Sequence, residues 1–169
     1  LLNYPDLYDR LIVLDGWSKT YAMTGWRLGW GVWPENLIKH VFKFCVNNHS
    51  CVNTAAQYGA IAALEGPEDH LNNMLEKFTI RRKLIVDGLR NLKGIECNMP
   101  EGTFFAFPNV KGTGMNGEEF QRKCLNEAGV AIIPGTSFGK FGVDNVRFNF
   151  ATSEENISNA LEKINNMLG

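Results

Sequence analysis

The chain has 169 residues, 44% of them hydrophobic, and a formal net charge of −1 from 17 basic and 18 acidic residues. This length and hydrophobic content suffice for a packed core and argue against a disordered chain. The charges form no basic block and no apolar run is long enough to cross a bilayer, so we expect neither nucleic acid nor a membrane as partner.

The cysteines form no Cys-x-x-Cys pair and therefore indicate free thiols in a reducing compartment, which predicts a cytoplasmic location. They are Cys45, Cys51, Cys97 and Cys124. The three histidines have none of the spacings of a metal site, so no metal is expected. No signal peptide is visible, and the chain starts at Leu1 rather than at a methionine. We therefore interpret it as the continuation of a longer polypeptide.

The first predicted element is a strand at residues 11–14, whose apolar run is typical of a buried parallel strand. Ser18 and Lys19 follow it and should lie at its carboxyl end, where open α/β sheets bind their ligands. Tryptophan, tyrosine and methionine residues surround Lys19 in the sequence. Such neighbours disfavour the ammonium form and predict a nucleophilic amine.

Arg27 comes eight residues after Lys19, among Gly25, Gly29 and Gly31. A fixed guanidinium beside backbone that carries no side chains suits a phosphate group. On these grounds alone, the alternative that Lys19 is an ordinary solvated loop charge stays open.

Three helices are predicted next. Pro34 opens the first at its first helical position, and Asn53 or Thr54 caps the second, which is rich in alanine and stops at Gly66. The third spans residues 68–92 and would be about 35 Å long, at 1.5 Å per residue. So long a helix in so short a chain predicts a strut between two lobes.

Residues 95–169 predict a small α+β lobe. Its predicted strands lie at residues 95–99, 103–108, 130–134 and 145–150, and its helices at 118–128 and after a capping box at 152–155. In the last strand Val146, Phe148 and Phe150 share one face, which leaves Arg147 and Asn149 on the other. The alternation alone favours a solvent-facing arginine on an edge strand.

Residues 18–29, Ser-Lys-Thr-Tyr-Ala-Met-Thr-Gly-Trp-Arg-Leu-Gly, resemble the cofactor-lysine motif of class I aminotransferases of the aspartate aminotransferase type. This is the fold-type I family that uses pyridoxal 5′-phosphate (PLP). The resemblance implies that Lys19 carries the cofactor covalently and that Ser18 and Arg27 bind its phosphate. Gly16 stands where many members have a second serine.

The resemblance continues through residues 101–108 and 130–139 to residues 146–148, where it implies that Arg147 binds the substrate α-carboxylate. It covers the whole chain but only the carboxyl-terminal half of the family's length. It thus implies an α/β fold in which residues 1–75 end the PLP-binding large domain, 76–93 form a linking helix and 94–169 form a small domain. It further implies a homodimer that moves an amino group between an amino acid and a 2-oxo acid.

Several alternatives stay open. A PLP-dependent lyase on the same scaffold would share Lys19 and Arg147, and an aminotransferase-like regulatory domain would only bind ligand. The family's aspartate for the pyridine nitrogen is expected upstream of Leu1, so this segment alone should be poorly active. Residues 46–53 contain no arginine, which leaves specificity for dicarboxylates open. Residues 137–140 fit the Ser-x-x-Lys pattern of serine acyl-enzymes, but its companion motifs are absent and a surface loop is the simpler interpretation.

Overall fold

The computed structural model describes residues 1–169, which divide into two compact units, Leu1–Asn72 and Asn73–Gly169. Both units contain helices and antiparallel strands, in agreement with the predicted α/β class. The elements of the first unit are β1 (Val13–Gly16), the one-turn helix α1 (Trp17–Thr20), β2 (Gly29–Val32), α2 (Glu35–His49) and α3 (Thr54–Glu65). A long helix, α4 (Asp69–Arg90), begins in this unit and continues in the second.

The first strand differs from its prediction in direction and in burial. β1 pairs antiparallel with β2, in a register that runs from Val13 opposite Val32 to Gly16 opposite Gly29. A parallel pair needs a crossover of a dozen or more residues, usually a helix, whereas the segment between these strands folds into short turns and reverses the chain. A sheet of two strands buries little, so Leu14 is 68% exposed.

The helices of the first unit begin and end where local chemistry dictates. Pro34 has extended backbone and lies just before α2, not within its first turn as predicted. Asn53 caps α3 as predicted: its Oδ1 accepts the N–H of Ala56 at 3.0 Å. Gly66 ends that helix. The small core of this unit consists of Met23, Leu28, Ala56 and Ala60, with Trp17, Tyr21 and Ala63 packed against it.

The second unit is built around a three-stranded antiparallel sheet with the order β3-β5-β4. Its elements after α4 are β3 (Phe105–Ala106), α5 (Gly117–Lys123), a π-helical turn (Cys124–Ala128), β4 (Ile133–Pro134), β5 (Val146–Asn149) and α6 (Glu154–Leu168). The predicted helix at 118–128 therefore changes from α to π geometry after Lys123. The predicted strand at 95–99 does not form, since Glu96 alone pairs with Asn109.

A continuous core fills the second unit and confirms the alternation predicted for its last strand. Val146, Phe148 and Phe150 are all buried, on the face of β5 that contacts the helices. The largest fully buried side chains of the other elements include Leu89, Phe120, Ile157 and Ile164. The sheet and helices together hold β5 as a central strand, with a neighbour on each side.

Two glycines of the second unit touch through their backbones. Gly94, just after α4, has φ +79°, and a Cβ there would lie 2.5 Å from Thr113 N and still closer to the carbonyl group of Gly112. Directly after this contact, Glu96 and Asn109 exchange two backbone hydrogen bonds of 3.0 and 2.8 Å. Glycine at position 94 therefore lets the two chain segments approach closely enough to pair.

None of the helices combines the length and the apolar character that crossing a membrane requires.

Candidate functional site

The lysine and arginine of the cofactor motif emerge at the same end of the β1–β2 pair. Gly16 and Gly29 form the last register pair, so the segment after Gly16 and the segment before Gly29 leave the sheet together. There α1 contacts the 3₁₀ turn Thr24–Trp26 that precedes Arg27. Within this arrangement Ser18 is half-buried and Lys19 is exposed.

The exposure of Lys19 corrects the expectation of an apolar environment. Its aromatic and methionine neighbours in the sequence turn elsewhere: Trp17 and Tyr21 pack against the small core, and Met23 is part of it. Trp26 is itself exposed. Proximity along the sequence therefore does not enclose the amine, because the folded turns carry the apolar side chains away from it.

Arg27 lines a cavity of about 830 Å³. Its Nη1 donates to the carbonyl of Thr24 at 2.8 Å, and no carboxylate pairs with it. The remaining N–H groups of the guanidinium are thus available to a ligand. Gly25 lines the same cavity, and a Cβ there would meet no atom within 4 Å.

Backbone strain accompanies this cavity. Ala22 and Arg27 line it and adopt left-handed conformations with φ +53° and +55°. Ser50, with φ +62°, lies between the lining residues His49 and Cys51. Such conformations cost on the order of 1–3 kcal/mol for residues other than glycine and cluster at ligand sites. Three of them at one cavity favour a binding role for it.

The polar groups of this region fit the phosphate of PLP, the expected cofactor. Phosphate oxygens accept hydrogen bonds, and Arg27 has free donors to offer. The Ser18 hydroxyl makes no hydrogen bond within the chain, while Trp17 Nε1 is a buried donor without an acceptor. Of the three residues expected to hold the cofactor, however, only Arg27 lines the cavity; Ser18 and Lys19 do not.

Sequence reasoning missed part of the cavity wall. His49, Cys51, Val52 and Asn53 line it together with the first turn of α3. The sequence indicated a polar break between two helices, with Asn53 or Thr54 as the cap of the second. The family resemblance also implies that residues 47–53 lie near the cofactor of the neighbouring subunit, and this was the one signal that this segment belongs to a functional site.

Arg147 occupies the central strand of the second unit, not an edge strand, and its side chain is half-buried. The guanidinium Cζ lies 4.1 Å from the ring centroid of Phe105 and 4.5 Å from that of Phe138. It forms no ion pair. Asn149, on the same face of the strand, accepts the N–H of Ala151 at 2.7 Å. The two phenylalanines were missed by sequence reasoning.

A second cavity, of about 560 Å³, includes Arg147 as its only charged lining residue. The other lining residues are Asn98, Met99, Pro100, Thr103, Phe105, Phe107 and Phe138. Thr103 is again strained, with φ +68°. An arginine with free donors in an otherwise uncharged, largely apolar cavity is suited to bind a carboxylate.

The Ser-x-x-Lys pattern, the cysteines and the metal-ligating residue types form no functional site. Ser137 makes no hydrogen bond with Lys140, whose Nζ lies 5.1 Å from the ring centroid of Phe141. Burial raises the pKa of the Cys97 thiol and raises that of Cys124 to about 12, so neither is a reactive thiolate at neutral pH. No group of three or more His, Cys, Asp and Glu side chains lies close enough to hold a metal ion.

Comparisons with known proteins agree with the motif. A family model described as aminotransferase class I and II matches residues 3–164. The aspartate aminotransferase of Pyrococcus horikoshii is 39% identical over 162 residues, which are 95% of this chain and 41% of that protein. The aspartate aminotransferase structure from Rhizobium meliloti superposes with a TM-score of 0.93 at 35% identity, over 98% of this chain and 43% of the other.

A second solved structure, the aromatic aminotransferase of Pyrococcus horikoshii, gives a TM-score of 0.94 at 36% identity and covers 98% of this chain and 44% of its own. Relatives named for different substrates thus share this backbone. The chain spans about two fifths of the length of the curated relatives that it matches.

Proposed function

The chain belongs to the class I and II aminotransferases, and from this premise we propose that the complete protein moves an amino group between an amino acid and a 2-oxo acid. PLP is the cofactor of this family. The observation that carries the proposal is the joint emergence of Lys19 and Arg27 at one end of the β1–β2 pair, beside a strained cavity.

Three residues of the first unit would hold the cofactor. Arg27, with free guanidinium donors, and Ser18, with a free hydroxyl, would bind the phosphate, and Lys19 would carry the cofactor through Nζ. When bound, PLP supplies an electrophilic aldehyde and a ring that withdraws electrons from the substrate Cα.

The chemical work of this chain is proton transfer and carboxylate binding. Lys19 Nζ, as general base, would take the proton from the substrate Cα. Arg147 would bind the α-carboxylate through two parallel hydrogen bonds, a geometry that its planar fork allows. The uncharged walls of the Arg147 cavity support this role, since they offer the carboxylate no competing cation.

We assign residues 1–75 to the end of the PLP-binding large domain, 76–93 to the linking helix and 94–169 to the small domain. The division of the chain into two compact units, with α4 running from the first into the second, supports this assignment.

We further propose that the protein is a homodimer. Large apolar side chains of α2 and α3, including Phe42, Phe44, Tyr58 and Leu64, are exposed in this two-fifths of the protein, and a second copy would cover those that the rest of the chain leaves open. Sedimentation of the complete protein at micromolar concentration tests this, and an active monomer would contradict it.

We also propose that the protein is cytoplasmic. Its four cysteines are free thiols, which support a location in a reducing compartment.

Reductive labelling tests the proposed function. The complete protein is incubated with PLP, reduced with borohydride, digested and mapped by mass spectrometry. We expect the pyridoxyl adduct on Lys19 and no adduct in Lys19→Ala. Lys39→Ala, which removes another exposed lysine of the same unit, is the matched control and should be labelled like the unaltered protein.

The products decide between the remaining alternatives. With an amino acid and a 2-oxo acid, a transaminase forms one new oxo acid for each new amino acid. Release of ammonia or of a side-chain fragment would indicate the lyase instead, and labelling without any turnover would indicate a regulatory domain. An adduct on a lysine other than Lys19 would show that the site assignment is wrong.

A further inference from the structure

We propose that Phe105 and Phe138 are positioning residues, which hold the guanidinium of Arg147 in its carboxylate-binding orientation without occupying any of its hydrogen-bond donors. This inference rests on the proposed function, in which Arg147 binds the substrate α-carboxylate. It concerns how the free arginine is kept in place before a substrate arrives.

Arg147 differs from Arg82 and Arg90, two other arginines of the second unit. Arg82 Nη1 donates to the carbonyl of Pro100 at 3.2 Å, and Arg90 Nε donates to that of Cys97 at 2.7 Å. Arg147 is half-buried yet donates to no group of the chain. Its contacts with the two aromatic rings are therefore what fixes the guanidinium.

The topology brings one ring from each neighbour of the central strand. Phe105 lies on β3 opposite Asn149, hence on the same face as Arg147 and diagonal to it. Phe138 ends the 3₁₀ turn Gly135–Phe138 that follows β4, whose Ile133 lies opposite Arg147. Rings from both sides of β5 thus converge on one side chain.

Each ring is itself supported by another. The centroids of Phe104 and Phe105 are 4.4 Å apart, and those of Phe107 and Phe138 are 6.0 Å apart, with the latter two planes at 80°. The edge-to-face arrangement of Phe107 and Phe138 is favourable for aromatic rings, and Phe104 and Phe105 make a closer, tilted contact. The supports limit the movement of Phe105 and Phe138, although Phe138 remains 51% exposed.

Aromatic contacts suit this task better than an ion pair would. A carboxylate partner would neutralise Arg147 and use the same N–H groups that the substrate needs. A ring face attracts the cation above its plane and leaves the in-plane donors free. A guanidinium already oriented loses less side-chain entropy when the substrate binds.

The test uses Phe138→Leu, which keeps an apolar side chain but removes the ring, and Phe138→Tyr, which keeps the ring. The contact of an exposed or partly desolvated cation with one ring predicts a fall of roughly 2- to 30-fold in kcat/KM for Phe138→Leu, mostly through KM. Phe138→Tyr should retain most of the activity. The matched control is Phe141→Leu in the same loop, where the ring is 90% exposed and contacts Lys140 instead.

A double-mutant cycle separates positioning from a general structural effect. If Phe138 acts through the arginine, Phe138→Leu should change KM far less in an Arg147→Gln background than in the unaltered one. Equal effects in both backgrounds, or a Phe138→Tyr variant as impaired as Phe138→Leu, would overturn the inference.

A second readout does not need turnover. In protein labelled with ¹⁵N-arginine, ring currents should shift the Nε–H signal of Arg147, and titration with acetate should move it. We expect Phe138→Leu to lose part of the ring-current shift and to need more acetate for half-saturation. An unchanged signal and unchanged acetate binding would refute the positioning role, even if the protein proves to have no transaminase activity.

Discussion

Replacement of Gly94 by alanine tests the close contact that lets the second unit pair residues 96 and 109. The matched control is Gly114→Ala. The two glycines have nearly the same φ, +79° and +81°. They differ in their surroundings: a Cβ at Gly114 would meet nothing within 4 Å, whereas one at Gly94 would collide with the backbone of Gly112 and Thr113.

The expected magnitudes follow from this difference. Both variants place a Cβ in a left-handed conformation, which costs about 1–2 kcal/mol. Only Gly94→Ala adds a clash, because carbon atoms in contact prefer about 3.5–4.0 Å. Relief requires a shift of about 1 Å of backbone, and overpacking of this kind costs about 1–3 kcal/mol. The Glu96–Asn109 hydrogen bonds add about 0.5–1.5 kcal/mol each if they break.

We therefore expect Gly94→Ala to lower the free energy of unfolding by roughly 1–3 kcal/mol more than Gly114→Ala does, and by up to about 6 kcal/mol more if both hydrogen bonds break. Urea unfolding followed by circular dichroism measures both values under the same conditions. Failure of Gly94→Ala to fold, with Gly114→Ala folded, would agree with the same ranking. Equal losses of stability in the two variants would refute the argument from close contact.

Two further predictions concern Arg147 and Cys124. Lysine cannot form the two parallel hydrogen bonds that arginine makes with a carboxylate. Arg147→Lys in the complete enzyme should therefore lower kcat/KM for amino acids by roughly 10- to 150-fold and leave PLP affinity nearly unchanged. Loss of PLP from this variant would instead show that Arg147 binds the cofactor phosphate. Burial raises the pKa of the Cys124 thiol from its ordinary value of 9.0 to about 12, so its contribution to stability is full below pH 9 and falls as the pH rises towards 12. Unfolding measured at pH 8 and pH 10.5 should show a smaller loss in Cys124→Ala than in the unaltered chain, and equal losses would contradict this.

Features with a local cause were predictable from the sequence. Asn53 caps α3 and Gly66 ends it, since an amide side chain and a glycine act within a few residues. The apolar side of β5 followed from alternation alone. The direction of β1 was wrong, because an apolar run indicates affinity for a covering layer but not which strand pairs with it.

The candidate site residues were predictable from the sequence, whereas their surroundings in the fold were not. The motif identified Lys19, Arg27 and Arg147 as candidates, and their roles stay predictions. The exposure of Lys19 and the aromatic contacts of Arg147 were not foreseen. Phe105 and Phe138 are separated from Arg147 by 42 and 9 residues (147 − 105 and 147 − 138), so their meeting depends on sheet register, which spacing in the sequence does not encode.

The left-handed residues at the two cavities have a consequence for protein engineering. Glycine at Ala22, Ser50 or Thr103 would remove a strain of about 1–2 kcal/mol, offset in part by about 0.5–1 kcal/mol of extra chain entropy. A library selected only for heat resistance should therefore enrich glycine at these positions. The selected variants would have more flexible walls at both cavities, so the library needs a simultaneous selection for ligand binding.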